Sequence, residues 1–179
     1  GDYKKALKLS LEAGEIIKSS LGEQSTAYLN NLLDLSGLYK ALGNYQRAAL
    51  IATKVKNNSK HIFGEEHIFY ARVLTSLALI NADLGQYEEA LLYHRQSAKI
   101  YAKLLGEQHP SYLNAINNAA KINLELAQYT DAWTLCEEAL SIQTNVETHR
   151  SFNEDWSMAL NGVTYSSVAH IRSMITSLE

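Results

Sequence analysis

The sequence predicts an all-α protein, a right-handed α-solenoid of antiparallel helix pairs. Three observations carry that expectation. The stretch Gly43-Asn44-Tyr45-Gln46-Arg47-Ala48 returns as Gly85-Gln86-Tyr87-Glu88-Glu89-Ala90 and as Ala127-Gln128-Tyr129-Thr130-Asp131-Ala132, and its first copy is Gly1-Asp2-Tyr3-Lys4-Lys5-Ala6. The starting positions 1, 43, 85 and 127 are 42 apart each time. A second marker keeps the same interval, as Leu21-Gly22-Glu23-Gln24, Phe63-Gly64-Glu65-Glu66 and Leu105-Gly106-Glu107-Gln108. A fixed period of about 20–50 residues marks stacked units, each too thin to bury its apolar face alone.

The elements follow from the markers. Each interval between them leaves room for a helix of roughly 27 Å at 1.5 Å per residue. Gly followed by Asn or Gln suits a helix C-terminus that needs a left-handed residue. The chain re-enters helix at once, so neighbours run antiparallel. The pattern predicts helices over 3–20, 26–42, 45–62, 68–84, 87–104, 110–126, 129–144 and 153–168, with a further piece to 178. Pro110 falls in the first turn of its helix, where its missing N–H costs nothing.

The whole chain, 1–179, reads as one solenoid of about four repeats. Residues 1–20 are the second helix of a truncated repeat, 22–63, 64–105 and 106–147 are full repeats, and 148–179 are a degenerate repeat or cap. In the first helix of each full repeat an i, i+3, i+4, i+7 stripe recurs. It reads Leu32, Leu35, Ser36, Tyr39, then Leu74, Leu77, Ala78, Asn81, then Ile116, Ala119, Ala120, Asn123. The small third member lets two helices approach closely. Each second helix supplies a tyrosine wedge and a small partner, as in Tyr45/Ala48, Tyr87/Ala90 and Tyr129/Ala132.

Two stretches depart from the pattern. Lys56, Asn58 and Ser59 stand where Ala98, Ile100 and Tyr101 stand one period later, so the second half of that helix is expected to be looser. Thr148-His149-Arg150-Ser151 replaces the last Gly-Glu marker, although Gly162 and Tyr165 stay in register with Ser36 and Tyr39. The chain opens inside a marker and without an initiator methionine, which reads as a piece of something longer.

Composition narrows the function classes. Apolar residues make up 46% of the chain, enough to bury a core, and the mean hydropathy of -0.20 suits a soluble protein. No apolar run approaches the roughly 18 residues of a membrane helix, and no secretory signal is evident. A net charge of -3 does not favour nucleic acid, whose binders show a basic face. The single cysteine, Cys136, fits a reducing compartment, and the expected location is cytoplasmic.

A small residue in the first helix followed by Leu-Gly-x-Tyr-x-x-Ala resembles the tetratricopeptide repeat. The 42-residue period, with Leu105 to Pro110 reading Leu-Gly-Glu-Gln-His-Pro and Asn117-Asn118 following, is similar to the kinesin light chain type. The resemblance covers nearly the whole chain. It implies a non-enzymatic module that binds a peptide or protein segment, with concave Asn, Lys and Arg side chains holding main chain or carboxylates. Repeats of this length also resemble those beside caspase-like CHAT peptidase domains and nucleotide-binding switch domains. The alternative is therefore a regulatory or substrate-docking region of a larger enzyme, its partner another domain of the parent chain. A structural spacer or oligomerisation arm, with Trp156, Met158 and Leu160 as its contact surface, is a third reading.

The first helices line the concave face, and the positions between their core residues form columns. One is Asn30, Arg72, Asn114 and Trp156; the next is Asp34, Ser76, Asn118 and Leu160; a third is Gly37, Leu79, Lys121 and Val163. The candidate site is Asn30, Asp34, Arg72, Thr75, Ser76, Asn114, Asn117, Asn118 and Lys121. Asn is a poor helix-interior residue, yet its amide both donates and accepts, which suits an extended backbone.

No catalytic residue, metal or cofactor is expected. Cys136, four residues after Ala132, points inward as a small hydrophobe. His67 and His109 share one place in successive repeats, and are expected to cap or pack helix starts rather than to converge on an ion. One glycine per Gly-Glu turn makes no phosphate loop. The tyrosines, Tyr28, Tyr70 and Tyr112 among them, pack the solenoid, and Lys54, Lys56, Lys60 and His61 form a solvated face.

Overall fold

The computed structural model describes residues 2–150, and there the chain forms seven α-helices and no strand. They are α1 (Tyr3–Leu21), α2 (Thr26–Ala41), α3 (Tyr45–Phe63), α4 (Ile68–Asp83), α5 (Tyr87–Leu105), α6 (Pro110–Glu125) and α7 (Tyr129–Arg150). These residues belong to two compact units, one ending at Ile100 and one beginning at Tyr101, so the division falls inside α5. The helix expected over 153–168 and the column ends Trp156, Leu160 and Val163 lie outside the described residues, as do Met158, Gly162 and Tyr165.

The sequence markers are caps. At each short turn two backbone bonds close a Schellman motif. Asn44 N–H reaches Tyr39 O at 2.9 Å, Gln86 N–H reaches Asn81 O at 2.8 Å and Gln128 N–H reaches Asn123 O at 2.8 Å. The residue at the bend carries positive φ in all three, 76° at Gly43, 74° at Gly85 and 57° at Ala127. The residue after the bend then starts the next helix, with Asn44 Oδ1 accepting from Arg47 N–H. In the longer turns, Gly22, Gly64 and Gly106 end the second helices at positive φ. The glutamate that follows reaches back to a lysine of the finished helix, Lys18–Glu23 at 2.6 Å and Lys60–Glu65. Ser25, His67 and His109 occupy one register position and cap α2, α4 and α6, the two histidines accepting through Nδ1 from Phe69 and Ser111 N–H at 3.1 Å.

In the first unit α1 packs on α2, α2 on α3 and α3 on α4, and α2 also touches α4. The core joins Leu29, Leu32, Leu33, Leu35 and Tyr39 of α2 to Ala48, Ala52 and Val55 of α3 and to Phe69, Val73, Leu77 and Ile80 of α4. In the second unit α6 packs on α7, where Ala120, Ala132 and Cys136 meet. The small-residue columns Ser36/Ala78/Ala120 and Ala48/Ala90/Ala132 are all buried.

Two expectations are corrected. Helix α7 continues to Arg150, past the expected end at 144, because Thr148 stands where Gly22, Gly64 and Gly106 supply the left-handed residue that stops a helix. The second half of α3 is not loosened by its polar residues. Ser59 is fully buried with its Oγ donating to Lys56 O at 2.9 Å. Lys56 of α3 is half-buried, with its Nζ 5.0 Å from the centre of the Tyr93 ring of α5 and donating to the Tyr93 hydroxyl at 3.1 Å. A long cation can keep its apolar stem buried while its charged end finds a polar partner.

Helix α1 meets α2 through a close approach. Asn31 Nδ2 donates to Ser10 O at 3.0 Å and to Ser10 Oγ at 3.2 Å. Its Oδ1 lies over Gly14, 2.5 Å from where a Cβ would sit. Elsewhere, His94 of α5 is fully buried at the register place of Ala52 and Cys136, with neither ring nitrogen hydrogen-bonded. Burial alone pushes its pKa down from 6.5 to about 4.

Three outcomes are expected. Gly14→Ala should destabilise by about 1–2 kcal/mol, because displacing the doubly bonded Asn31 outweighs the gain in helix propensity. In an Asn31→Ala background the same change should become stabilising, and urea unfolding of the four variants checks the reversal. Ala127→Gly should stabilise by about 0.5–1 kcal/mol by relieving an L-residue of the left-handed conformation, less the added freedom of the unfolded chain. For His94 the folded pKa is depressed, so its contribution is present above about 6.5 and is lost as pH falls toward 4, at up to roughly 1.4 kcal/mol per pH unit. The stability gap between the native chain and His94→Ala should therefore narrow between pH 7.5 and 4.5; a constant gap contradicts the assignment.

Candidate functional site

Packing decides which residues are free to act. In α4, nine of the sixteen residues are buried, from Phe69 to Asn81, because α2 and α3 flank it. What remains open is a narrow stripe: Arg72, Leu79 and Asp83 exposed, Thr75 and Ser76 half-buried. In α2 the same stripe is Asn30, Asp34 and Gly37, and in α6 it is Asn114, Asn117, Asn118 and Lys121. Every residue expected from the sequence to face a ligand therefore reaches solvent.

In the first unit the stripes of α2 and α4 lie side by side. Arg72 Nη1 donates to Asn30 Oδ1 at 3.4 Å, from one register position to its equivalent 42 residues earlier. The guanidinium also sits 5.7 Å from the centre of the Phe69 ring, a cation–π contact on its own helix. Asn30 Nδ2 donates back to Thr26 O at 2.9 Å, and Thr75 Oγ1 to Ala71 O at 3.1 Å. At the other end of the pair, Lys40 and Asp83 form an ion pair at 3.0 Å. These ties bracket Asp34, Gly37, Ser76 and Leu79.

Among the described residues of the second unit, the stripe lies on α6. Asn114, Asn117, Asn118 and Lys121 follow at intervals of three and four, so they share one helix face. Asn114 and Lys121 are exposed, and Asn117 and Asn118 are half-buried. On the opposite side of α6, the Tyr112 hydroxyl donates to the Glu138 carboxylate of α7. Burial first, and that carboxylate second, raise the Tyr112 pKa, so it stays a neutral donor. This tie binds the helix pair and leaves the stripe untouched.

Some contacts escape a reading by columns. Lys40 and Asp83 are 43 residues apart and so fall in different columns. Gly14 with Asn31 was visible only as a double exception, since the same two places hold Lys56 with Val73 and Ala98 with Ala115. A cavity of about 170 Å³ lies between α1, α2 and α3, lined by Leu11, Glu15, Tyr28, Leu35, Tyr39 and Arg47, with Arg47 stacked 4.6 Å over Tyr39. It opens on the core side of α2, away from the stripe.

The residues weighed for chemistry have structural partners. Cys136 is fully buried, and burial pushes its thiol pKa up, which disfavours the thiolate a nucleophile needs. His67 and His109 spend Nδ1 on helix caps. Among the described residues no three His, Cys, Asp or Glu side chains converge as metal ligands, and no helix is long and apolar enough to cross a membrane.

Comparison with known proteins agrees with this architecture. The tetratricopeptide repeat family profile matches residues 69–145. No curated protein sequence is similar enough to match. Among solved structures, the nearly identical TPR-like repeats of a putative kinesin light chain from Podosopora anserina superpose with a TM-score of 0.81 at 22% identity, over 99% of this chain and 81% of that one. BtubC (BKLC) from P. vanneervenii superposes with a TM-score of 0.84 at 22% identity, over 98% of this chain and 67% of that one. With the 42-residue period, the capped helix pairs and the profile matched over 69–145 together, the chain has the all-α tetratricopeptide-repeat solenoid fold, similar to that of the kinesin light chain-like structures.

Proposed function

We propose that this chain is a non-enzymatic interaction module that takes a peptide or protein segment on the open stripe of its first helices. The supporting observation is what that stripe is made of. Packing leaves one exposed line on each first helix, and the line holds Asn30, Asp34, Arg72, Thr75 and Ser76 in the first unit and Asn114, Asn117, Asn118 and Lys121 in the second. Asn is disfavoured inside helices by roughly 0.7 kcal/mol relative to Ala, and α6 carries three of them within five residues. Their amides match the alternating donors and acceptors of an extended backbone. A preformed helical face loses little conformational freedom when a ligand settles on it, which favours affinity.

Solved structures with this fold include the TPR-like repeats of a putative kinesin light chain. Serving as the docking region of a larger enzyme would use the same faces, with the ligand supplied by another domain of the parent chain. Nucleic acid, membrane and cofactor have no part in this reading, and its setting is the cytoplasm.

The test is capture from native lysate with the chain and with an Asn114→Ala, Asn118→Ala, Lys121→Ala triple variant. A partner retained by the native chain should be lost from the variant, while helicity by circular dichroism stays unchanged. Equal retention by both would place the interface elsewhere and defeat the proposal.

A further inference from the structure

We infer that the first unit holds a two-point subsite for an extended peptide, pairing a basic side chain with Asp34 and an aliphatic side chain with the gap at Gly37 beside Leu79. This inference rests on the reading of the first-helix stripe as a binding face, and adds which peptide chemistry that face selects.

Charge is the first observation. Four charged residues lie on the α2–α4 stripe and its border, namely Asp34, Lys40, Arg72 and Asp83. Lys40 and Asp83 neutralise one another at 3.0 Å. Arg72 is drawn to one end, donating to Asn30 and lying over Phe69. Asp34 is exposed and enters no ion pair or hydrogen bond with the described residues. The centre of the stripe therefore presents one uncompensated carboxylate, and its complement is a lysine or arginine.

Gly37 is the second. It sits in the interior of α2, where glycine costs about 1 kcal/mol relative to alanine. The usual reasons for a helix glycine are missing. A Cβ at Gly37 would meet nothing within 4 Å, whereas at Gly14 it would strike Asn31. No neighbour among the described residues requires the bare backbone. The register position is Leu79 in α4 and Lys121 in α6, both large and both exposed, so the bare position is peculiar to α2.

Leu79 is the third. It is 37% exposed on a stripe that is otherwise polar. The ties Asn30–Arg72 and Lys40–Asp83 hold α2 and α4 in register at both ends. Gly37 and Leu79 are thus neighbours across the pair, and an aliphatic side chain over Gly37 would rest on Leu79. Asp34 and Gly37 are three apart on one helix, about 5–6 Å. Alternate residues of an extended chain point the same way about 6.6 Å apart. The fit is a segment reading Lys or Arg, any residue, then Leu, Ile or Met.

The experiment selects phage-displayed random dodecapeptides on the whole chain, then measures a synthetic winner against variants by fluorescence anisotropy. The expected winners carry Lys or Arg two places before an aliphatic residue. Selection on Asp34→Lys should replace the basic residue with Asp or Glu. Gly37→Ala should raise the melting temperature yet weaken the synthetic peptide by about tenfold, since even one methyl fills the gap. Winners without the basic-x-aliphatic pattern would overturn the subsite. So would winners that depend on Asn114, Asn118 and Lys121 but tolerate Gly37→Ala and Asp34→Lys, an outcome that leaves the wider binding face standing. If nothing enriches, or binding ignores both sets, the subsite and the binding face fall together.

Discussion

How closely two helices approach governs this molecule. The first and second helices carry columns of small residues, Ser36, Ala78 and Ala120 on the first and Ala48, Ala90 and Ala132 on the second; all six are buried, and Ala120 packs with Ala132. A larger side chain there would push the axes apart from their usual 8–10 Å and tilt every later pair. Large residues fill the space on either side of this contact, with Leu29, Leu74 and Leu77 almost wholly buried. Turn lengths are bound by the same contact, since a Schellman bend returns the chain directly onto the helix it has left. The 42-residue period is the length of chain that makes one close contact and one longer return.

Much of this is written in local residues, which is why it could be read. Six of the seven helices start where the markers predict and end within one residue of the expected place, because Gly22, Gly43, Gly64, Gly85 and Gly106 need no tertiary context to turn the chain. The histidine caps were legible too, since position within the repeat limits what a side chain can reach. What stayed hidden depends on three-dimensional neighbours. Polar Ser59 and Lys56 suggested a weak half-helix, but Ser59 bonds its own backbone and Lys56 borrows cover from Tyr93. The extent of α7 needed knowledge of what stops a helix in the absence of glycine.

The candidate site was legible for a different reason. Core columns repeat and are easily recognised, so the positions between them are defined by elimination. Asn30, Arg72, Asn114 and Lys121 fell out of that subtraction, and all reach solvent. Subtraction does not show which of them are already engaged. Arg72 holds Asn30, and the Lys40–Asp83 pair crosses column boundaries, so which charges are already paired among the described residues emerges only from coordinates. Across the repeats most core places hold small or aliphatic residues, while the stripe places differ, as at Gly37, Leu79 and Lys121.

The fit of Asn31 over Gly14 has a consequence for how the chain finds its fold. A sequence that states nearly the same helix pair several times invites mispairing by one repeat, a characteristic failure of such proteins. If α2 docked on α3 or α5 in place of α1, the amide of Asn31 would meet Lys56 or Ala98 where it now meets a bare α-carbon. The bonds to Ser10 would be lost as well, since Ala52 and His94 hold that place later in the chain. Gly14, Ser10 and Asn31 thus act as an address, giving otherwise interchangeable helices a unique order of assembly.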